Sequence, residues 1–122
     1  MLKTIFLIAI GGAIGSILRF LVSLSVSKIW SGSFPLATFI INVLGCFFIG
    51  FLIGILSKNA TDDTFKWLLI TGFCGGFTTF STFGMENITL LQNNQFLTAF
   101  VYIITSVVIS IFFVWLGLLL SK

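Results

Sequence analysis

Four hydroxyl side chains, Thr78, Thr79, Ser81 and Thr82, follow the glycine pair Gly75-Gly76 in the segment GFCGGFTTFSTFGMEN, residues 72–87. The surroundings are apolar enough to cross a membrane, and the segment carries no charge before Glu86. Hydroxyls donate hydrogen bonds, and a phenyl ring has a positive edge, so both can face an anion. Phe80 and Phe83 are three residues apart and share one face wherever helix resumes after the threonines. The chain holds 16 phenylalanines, so spacing alone reads most of them as contacts to lipid or to neighbouring helices.

Gly75-Gly76 and Thr78-Thr79 are poor helix sequence in the middle of a crossing. Glycine costs about 1 kcal/mol against alanine in a helix, and threonine has competing local hydrogen bonds. Two readings stay open. A break near 75–79 would free backbone carbonyls, as discontinuous transporter helices do, and such carbonyls suit a cation such as Na⁺. Alternatively the helix is unbroken and its glycines pack against a neighbour.

Other polar side chains interrupt the apolar runs. Asn42, in TFIINVLGCF, needs a partner for its amide: another helix, or a passing anion. Tyr102, Ser106 and Ser110 recur at i, i+4 and i+8 and put hydroxyls on one helix face. Arg19 and Glu86 are the only ionisable groups placed within the crossings, and each needs a cavity or a partner there. A track of neutral donors almost free of fixed charge suits a small anion. A cation path would want carboxylates or converging carbonyls.

The elements that must position these residues follow from composition. Of 122 residues, 58% are hydrophobic and 7% charged, against roughly 25% charged in soluble domains. The fold class is therefore an all-α integral membrane protein, a single four-helix domain. Four stretches have the length of about 20 residues that a crossing needs: about 5–26, 34–56, 65–91 and 96–120. Ser33 is expected as an N-cap with Pro35 in the first turn after it, and Asp62 and Asp63 at the positive end of the third helix. Trp30 and Trp67 fall at interfacial positions. Gly11/Gly15, Gly50/Gly54 and Gly72/Gly76 have the spacing of close helix contacts, and point also to oligomerisation.

The same inventory excludes other classes. Six basic residues scattered along the chain make no nucleic-acid surface. There is no His, no carboxylate pair and no base beside a nucleophile, so an enzyme is not expected. Cys46 and Cys74 lack metal or redox spacing and read as packing residues. The start, MLKTIFLIAI, reads as an uncleaved first span. Lys3, Lys58, Lys66 and Lys122 fall on one side of the membrane and Lys28 on the other, which favours both termini in the cytoplasm.

GFCGGFTTFSTF closely resembles the signature of the CrcB/Fluc fluoride channels. Arg19 in GSILRF, Asn42 in TFIINVLG, and Tyr102, Ser106 and Ser110 fall in the matching order, over the whole chain. The chain departs from the family at Ala37, where Gly is common, and at Gly84, where Ser is common. The resemblance implies fluoride as the permeant ion, leaving the cytoplasm passively across a bacterial plasma membrane in which the protein is multi-pass. It implies an antiparallel, dual-topology homodimer with two pores, or a pair with an oppositely oriented homologue. A structural Na⁺ at the interface would be held by the carbonyls of Gly75 and Thr78. Phe80 and Phe83 would supply ring edges, Asn42 an amide donor, and Ser81, Thr82, Tyr102, Ser106 and Ser110 polar contacts. Arg19 would draw anions to a vestibule, with Thr38, Thr79 and Glu86 as further contacts. Two alternatives are a proton-coupled exporter of the small multidrug-resistance type and a non-transporting accessory subunit. The first wants a glutamate in helix 1, where this chain has Arg19; the second leaves the donor track unexplained.

Overall fold

The computed structural model describes residues 1–58 and 63–122. Asp62 lies outside the described residues. Among the described residues, four helical crossings are long and apolar enough to span a membrane: Leu2–Ile29, Leu36–Lys58, Lys66–Gln92 and Phe96–Leu120. The first two are the helices α1 and α2. The third is composite: a π-helical segment π1, Lys66–Cys74, then one helical turn α3, Gly75–Phe77, and a further helix α4, Phe80–Gln92. The fourth is α5, Phe96–Leu120. A run of nine π-helical residues was not foreseeable, because local propensity holds no signal for it.

Two tight pairs build the bundle: α1 lies along π1 and α3, and α2 lies along α5. Glycine makes the first pair possible. A Cβ on Gly11 or Gly15 would strike backbone atoms of Leu68 and Phe73, and one on Gly76 would sit 2.6 Å from the Gly12 carbonyl oxygen. Without a hydrophobic drive between helices in lipid, such close approach is what holds them together. In the second pair a Cβ on Gly50 would meet the Val114 carbonyl, and Gly117 sits equally close to Phe47 and Phe51. The three spaced glycine pairs are thus used inside one chain, and give no separate argument for oligomerisation.

The start of α2 differs from expectation. Its first residue is Leu36, and the Phe39 N–H bonds the Pro35 carbonyl at 3.1 Å. Proline therefore stands just before the helix. The Ser33 hydroxyl makes no hydrogen bond among the described residues. Instead Trp30 Nε1 closes the loop onto the Phe34 carbonyl at 2.9 Å. Asp63 stands just ahead of the third crossing, where its carbonyl accepts from Trp67 N–H at 3.0 Å.

Candidate ion-path site

Between Phe77 and Phe80 the backbone leaves the helical region. Thr78 has φ −80° and ψ 158°, and Thr79 has φ −150° and ψ 123°. The extended pair lies at the depth where an unpaired peptide group is most costly, so each group released needs a partner. Asn42, from α2, supplies two. Its Oδ1 accepts from Thr79 N–H at 2.8 Å, and its Nδ2 donates to the Thr79 carbonyl at 3.0 Å. An amide has two N–H donors, so one stays unspent. The Thr79 hydroxyl caps α4 by accepting from Thr82 N–H at 3.3 Å.

These contacts interrupt the backbone ladder across the gap between α3 and α4. In a continuous helix Thr79 N–H would bond the Gly75 carbonyl, and Thr82 N–H the Thr78 carbonyl. Both donors are engaged elsewhere, by Asn42 Oδ1 and Thr79 Oγ1. Gly75 and Thr78 therefore lose their ladder partners, as do Gly76 and Phe77, whose donors Phe80 N–H and Ser81 N–H open α4. Thr78 also folds its own hydroxyl back onto the Cys74 carbonyl at 2.9 Å.

A cavity of about 570 Å³ lies beside this segment, between α2, the third crossing and α5. Asn42, Gly75, Thr78, Thr79, Phe80, Phe83, Ser106 and Ser110 all line it, and among the described residues no ionisable carboxylate or amine does. Ser106 Oγ is buried there with no hydrogen-bond partner, although buried polar atoms are paired as a rule. The rings of Phe80 and Phe83 lie 5.7 Å apart. Phe83 also packs on Tyr102 at 4.9 Å, whereas Phe80 is 82% exposed on the surface of the chain. Cys46 and Cys74 line the same wall. Sequence reasoning assigned them to packing, and nothing in their spacing signals a cavity.

The remaining candidates collect elsewhere. Ser81, Thr82 and Glu86 line a wider cavity of about 760 Å³, together with Ser27, Ser33, Asn93 and Gln95. Arg19 borders a smaller one of about 250 Å³ with Ser16, Ser23, Thr38, Thr79 and Thr82. Tyr102 lines none of these spaces; it is fully buried. Its hydroxyl donates to Glu86 Oε1 at 2.7 Å, while Thr38 donates to Glu86 Oε2 at 2.8 Å. One carboxylate thus ties α2, α4 and α5 together. This triad was not legible in advance, although a half-buried carboxylate at membrane depth always demands donors. Among the described residues no cluster of three or more His, Cys, Asp or Glu side chains could hold a metal.

A family model described as CrcB-like protein, Camphor Resistance (CrcB), matches residues 6–118. A protein of Flavobacterium psychrophilum named fluoride-specific ion channel FluC is 51% identical over 122 residues, covering 99% of this chain and 98% of its own. A protein of the same name from Azobacteroides pseudotrichonymphae is 50% identical over 123 residues, covering 100% and 98%. Another from Aquifex aeolicus is 44% identical over 119 residues, covering 97% and 96%. The match spans every crossing and every residue of the cavity wall, and the chain belongs to the CrcB family.

Proposed function

We propose that this chain forms a fluoride-selective channel through which fluoride leaves the cytoplasm passively, lowering its toxicity. What carries the reading is whole-length kinship, at up to 51% identity, with proteins named fluoride-specific ion channels. The geometry supports it. A small anion stripped of water faces a penalty of tens of kcal/mol in an apolar medium, and one hydrogen bond to a charged group returns about 1.5–3 kcal/mol. Several donors are therefore needed at each point. The spare Asn42 N–H, the unpaired Ser106 hydroxyl and Ser110 stand on one cavity wall, with the rings of Phe80 and Phe83 beside them. Arg19 concentrates anions at the approach, and Ser81, Thr82, Thr38 and Glu86 shape its entrances. Tyr102 acts through Glu86, which it orients, rather than by touching the ion.

The working unit in this reading is an antiparallel dimer in the bacterial plasma membrane, made of two copies or of this chain and an oppositely oriented homologue. The break in the third crossing would present the Gly75 and Thr78 carbonyls to a central Na⁺. Their fit to a hard cation rests on the loss of both ladder partners described above. Bound there, the ion would supply fixed positive charge at the interface. The chain's own part is to hold the two carbonyls exposed, through Asn42 and the Thr79 cap.

Efflux from proteoliposomes, followed with a fluoride electrode and with chloride as the comparison, tests the reading. Fast passive fluoride loss with chloride retained is expected. Equal rates for the two anions would overturn the selectivity.

A further inference from the structure

The opposite ends of α2 and α5, remote from the Glu86 triad, enclose a feature the ion path does not use. A cavity of about 390 Å³ opens there among Gly54, Ser57, Lys58, Trp115, Ser121 and Lys122. Gly54 lets the end of α5 approach, because a Cβ at that position would strike the Ser121 side chain. Lys58 Nζ donates to the Ser121 carbonyl, which fixes one ammonium at the rim. An ammonium has three donors, so two remain. Lys122 adds a second ammonium, and no acidic side chain lines the cavity among the described residues. Two lysine ammoniums with no acidic side chain beside them among the described residues, at the end of two crossings, call for an anion.

The rim identifies the kind of anion. Trp115 is 55% exposed, and Leu118 and Leu119 stand beside it, open to the surroundings. A tryptophan below a basic cluster is the arrangement of a membrane–water boundary. Basic pockets between crossings at that level take phosphate-bearing lipid headgroups. Free phosphate shares the oxygen chemistry but has no use for the apolar rim.

We infer that Lys58 and Lys122, at the C-terminal ends of α2 and α5, form a binding site for the headgroup of an anionic phospholipid. The phosphodiester takes the ammonium donors, and the acyl chains run down past Trp115 and Leu119. This site rests only on the membrane setting of the chain and stands apart from the ion it conducts.

Native mass spectrometry of the purified protein with equal phosphatidylglycerol and phosphatidylcholine tests the inference. The expected preference for phosphatidylglycerol is on the order of tenfold or more, since each lysine near an anionic headgroup adds substantially to affinity. Lys58→Gln/Lys122→Gln should reduce it to below about twofold on the same basis. Because Lys58 also holds the end of α5, two further variants separate folding from recognition. Lys58→Arg should retain the preference, and Lys122→Gln alone, whose side chain makes no hydrogen bond or ion pair among the described residues, should lower it. Lys3→Gln/Lys66→Gln removes equal charge from the same membrane side and should leave it intact. Equal retention of both lipids would overturn the site, as would a preference that survives in Lys58→Gln/Lys122→Gln or is lost in the Lys3/Lys66 control. Complete displacement of phosphatidylglycerol by millimolar inorganic phosphate would assign the pocket to the free anion and overturn the lipid.

Discussion

Leucine at position 42 keeps the branched heavy-atom skeleton of Asn42 and removes both of its hydrogen bonds to Thr79, at 2.8 and 3.0 Å. A backbone group left unpaired away from water costs about 1–3 kcal/mol, so two oppose the extended conformation by about 2–6 kcal/mol. The chain has one escape: Thr78 and Thr79 can turn helical, returning Thr79 N–H to the Gly75 carbonyl. At about 1.4 kcal/mol per tenfold, even the low end shifts the balance toward a continuous helix by about thirtyfold. The same step withdraws the Gly75 carbonyl from any cation and removes the spare amide donor from the cavity wall. Asn42→Leu should therefore elute as a monodisperse, folded protein whose fluoride efflux is slowed at least about tenfold on that arithmetic. Asn42→Gln, which keeps the amide on a longer stem, should fall between. The assay is electrode-monitored efflux from proteoliposomes at matched protein density. Wild-type efflux in a folded Asn42→Leu channel would refute the claim that this amide holds the path open.

Phe80→Ile and Phe83→Ile should both slow efflux but separate in thermal unfolding. The exposed Phe80 should change stability by less than about 0.5 kcal/mol, while Phe83 forfeits a ring contact to Tyr102 worth about 0.5–1.5 kcal/mol. Gly76→Ala forces a Cβ to 2.6 Å from the Gly12 carbonyl and should lower the unfolding midpoint, whereas Gly84→Ala meets nothing within 4 Å and should hold or raise it. Glu86→Gln turns one carboxylate oxygen into an N–H donor, so one of Tyr102 and Thr38 must rotate to accept, and bonds to a charged group worth about 1.5–3 kcal/mol each become neutral ones of about 0.5–1.5 kcal/mol. Thermal unfolding in detergent reads that loss. Reporter tags on each terminus in intact cells separate the two pairings: the self-paired antiparallel dimer requires both orientations, and a single orientation for every copy would exclude it in favour of a homologue as partner.

The crossings were legible because apolar runs of about 20 residues have no other use. The ends of the first two moved by two or three residues and those of the third by one, while the fourth runs over the expected 96–120. Thus Pro35 precedes α2, and α1 extends beyond the expected stretch to Ile29. The glycine spacing was legible for the same kind of reason, since a four-residue repeat marks one helix face. What it contacts was not: that Gly11 and Gly15 meet the glycines of the third crossing depends on which helices pair, a tertiary choice. Asn42 shows the limit most clearly. Its sequence position demanded a partner and left two kinds open; the structure gives it the backbone of Thr79, 37 residues away. The Thr38–Glu86–Tyr102 triad and the shared wall of Cys46 and Cys74 join residues that no local pattern connects.

One chain leaves its polar wall uncovered. In water an open cavity carrying Asn42, Thr78, Thr79 and Ser110 would simply be solvated; in hydrocarbon each unpaired group costs several kcal/mol, so lipid is a poor lid. Phe80 stands at that cavity with 82% of its surface free, and the glycine faces that would drive further helix contacts are already engaged within the chain. A second protein surface over the cavity resolves both problems, by enclosing the donors and giving the exposed ring a neighbour. An antiparallel copy is the cover proposed above: it would bring a second set of Gly75 and Thr78 carbonyls to the interface, where the proposed cation would offset their mutual repulsion. A helix without the break would have no carbonyls to repel and no amide to spare, so the proposed cover and path would both depend on the extended pair at Thr78–Thr79.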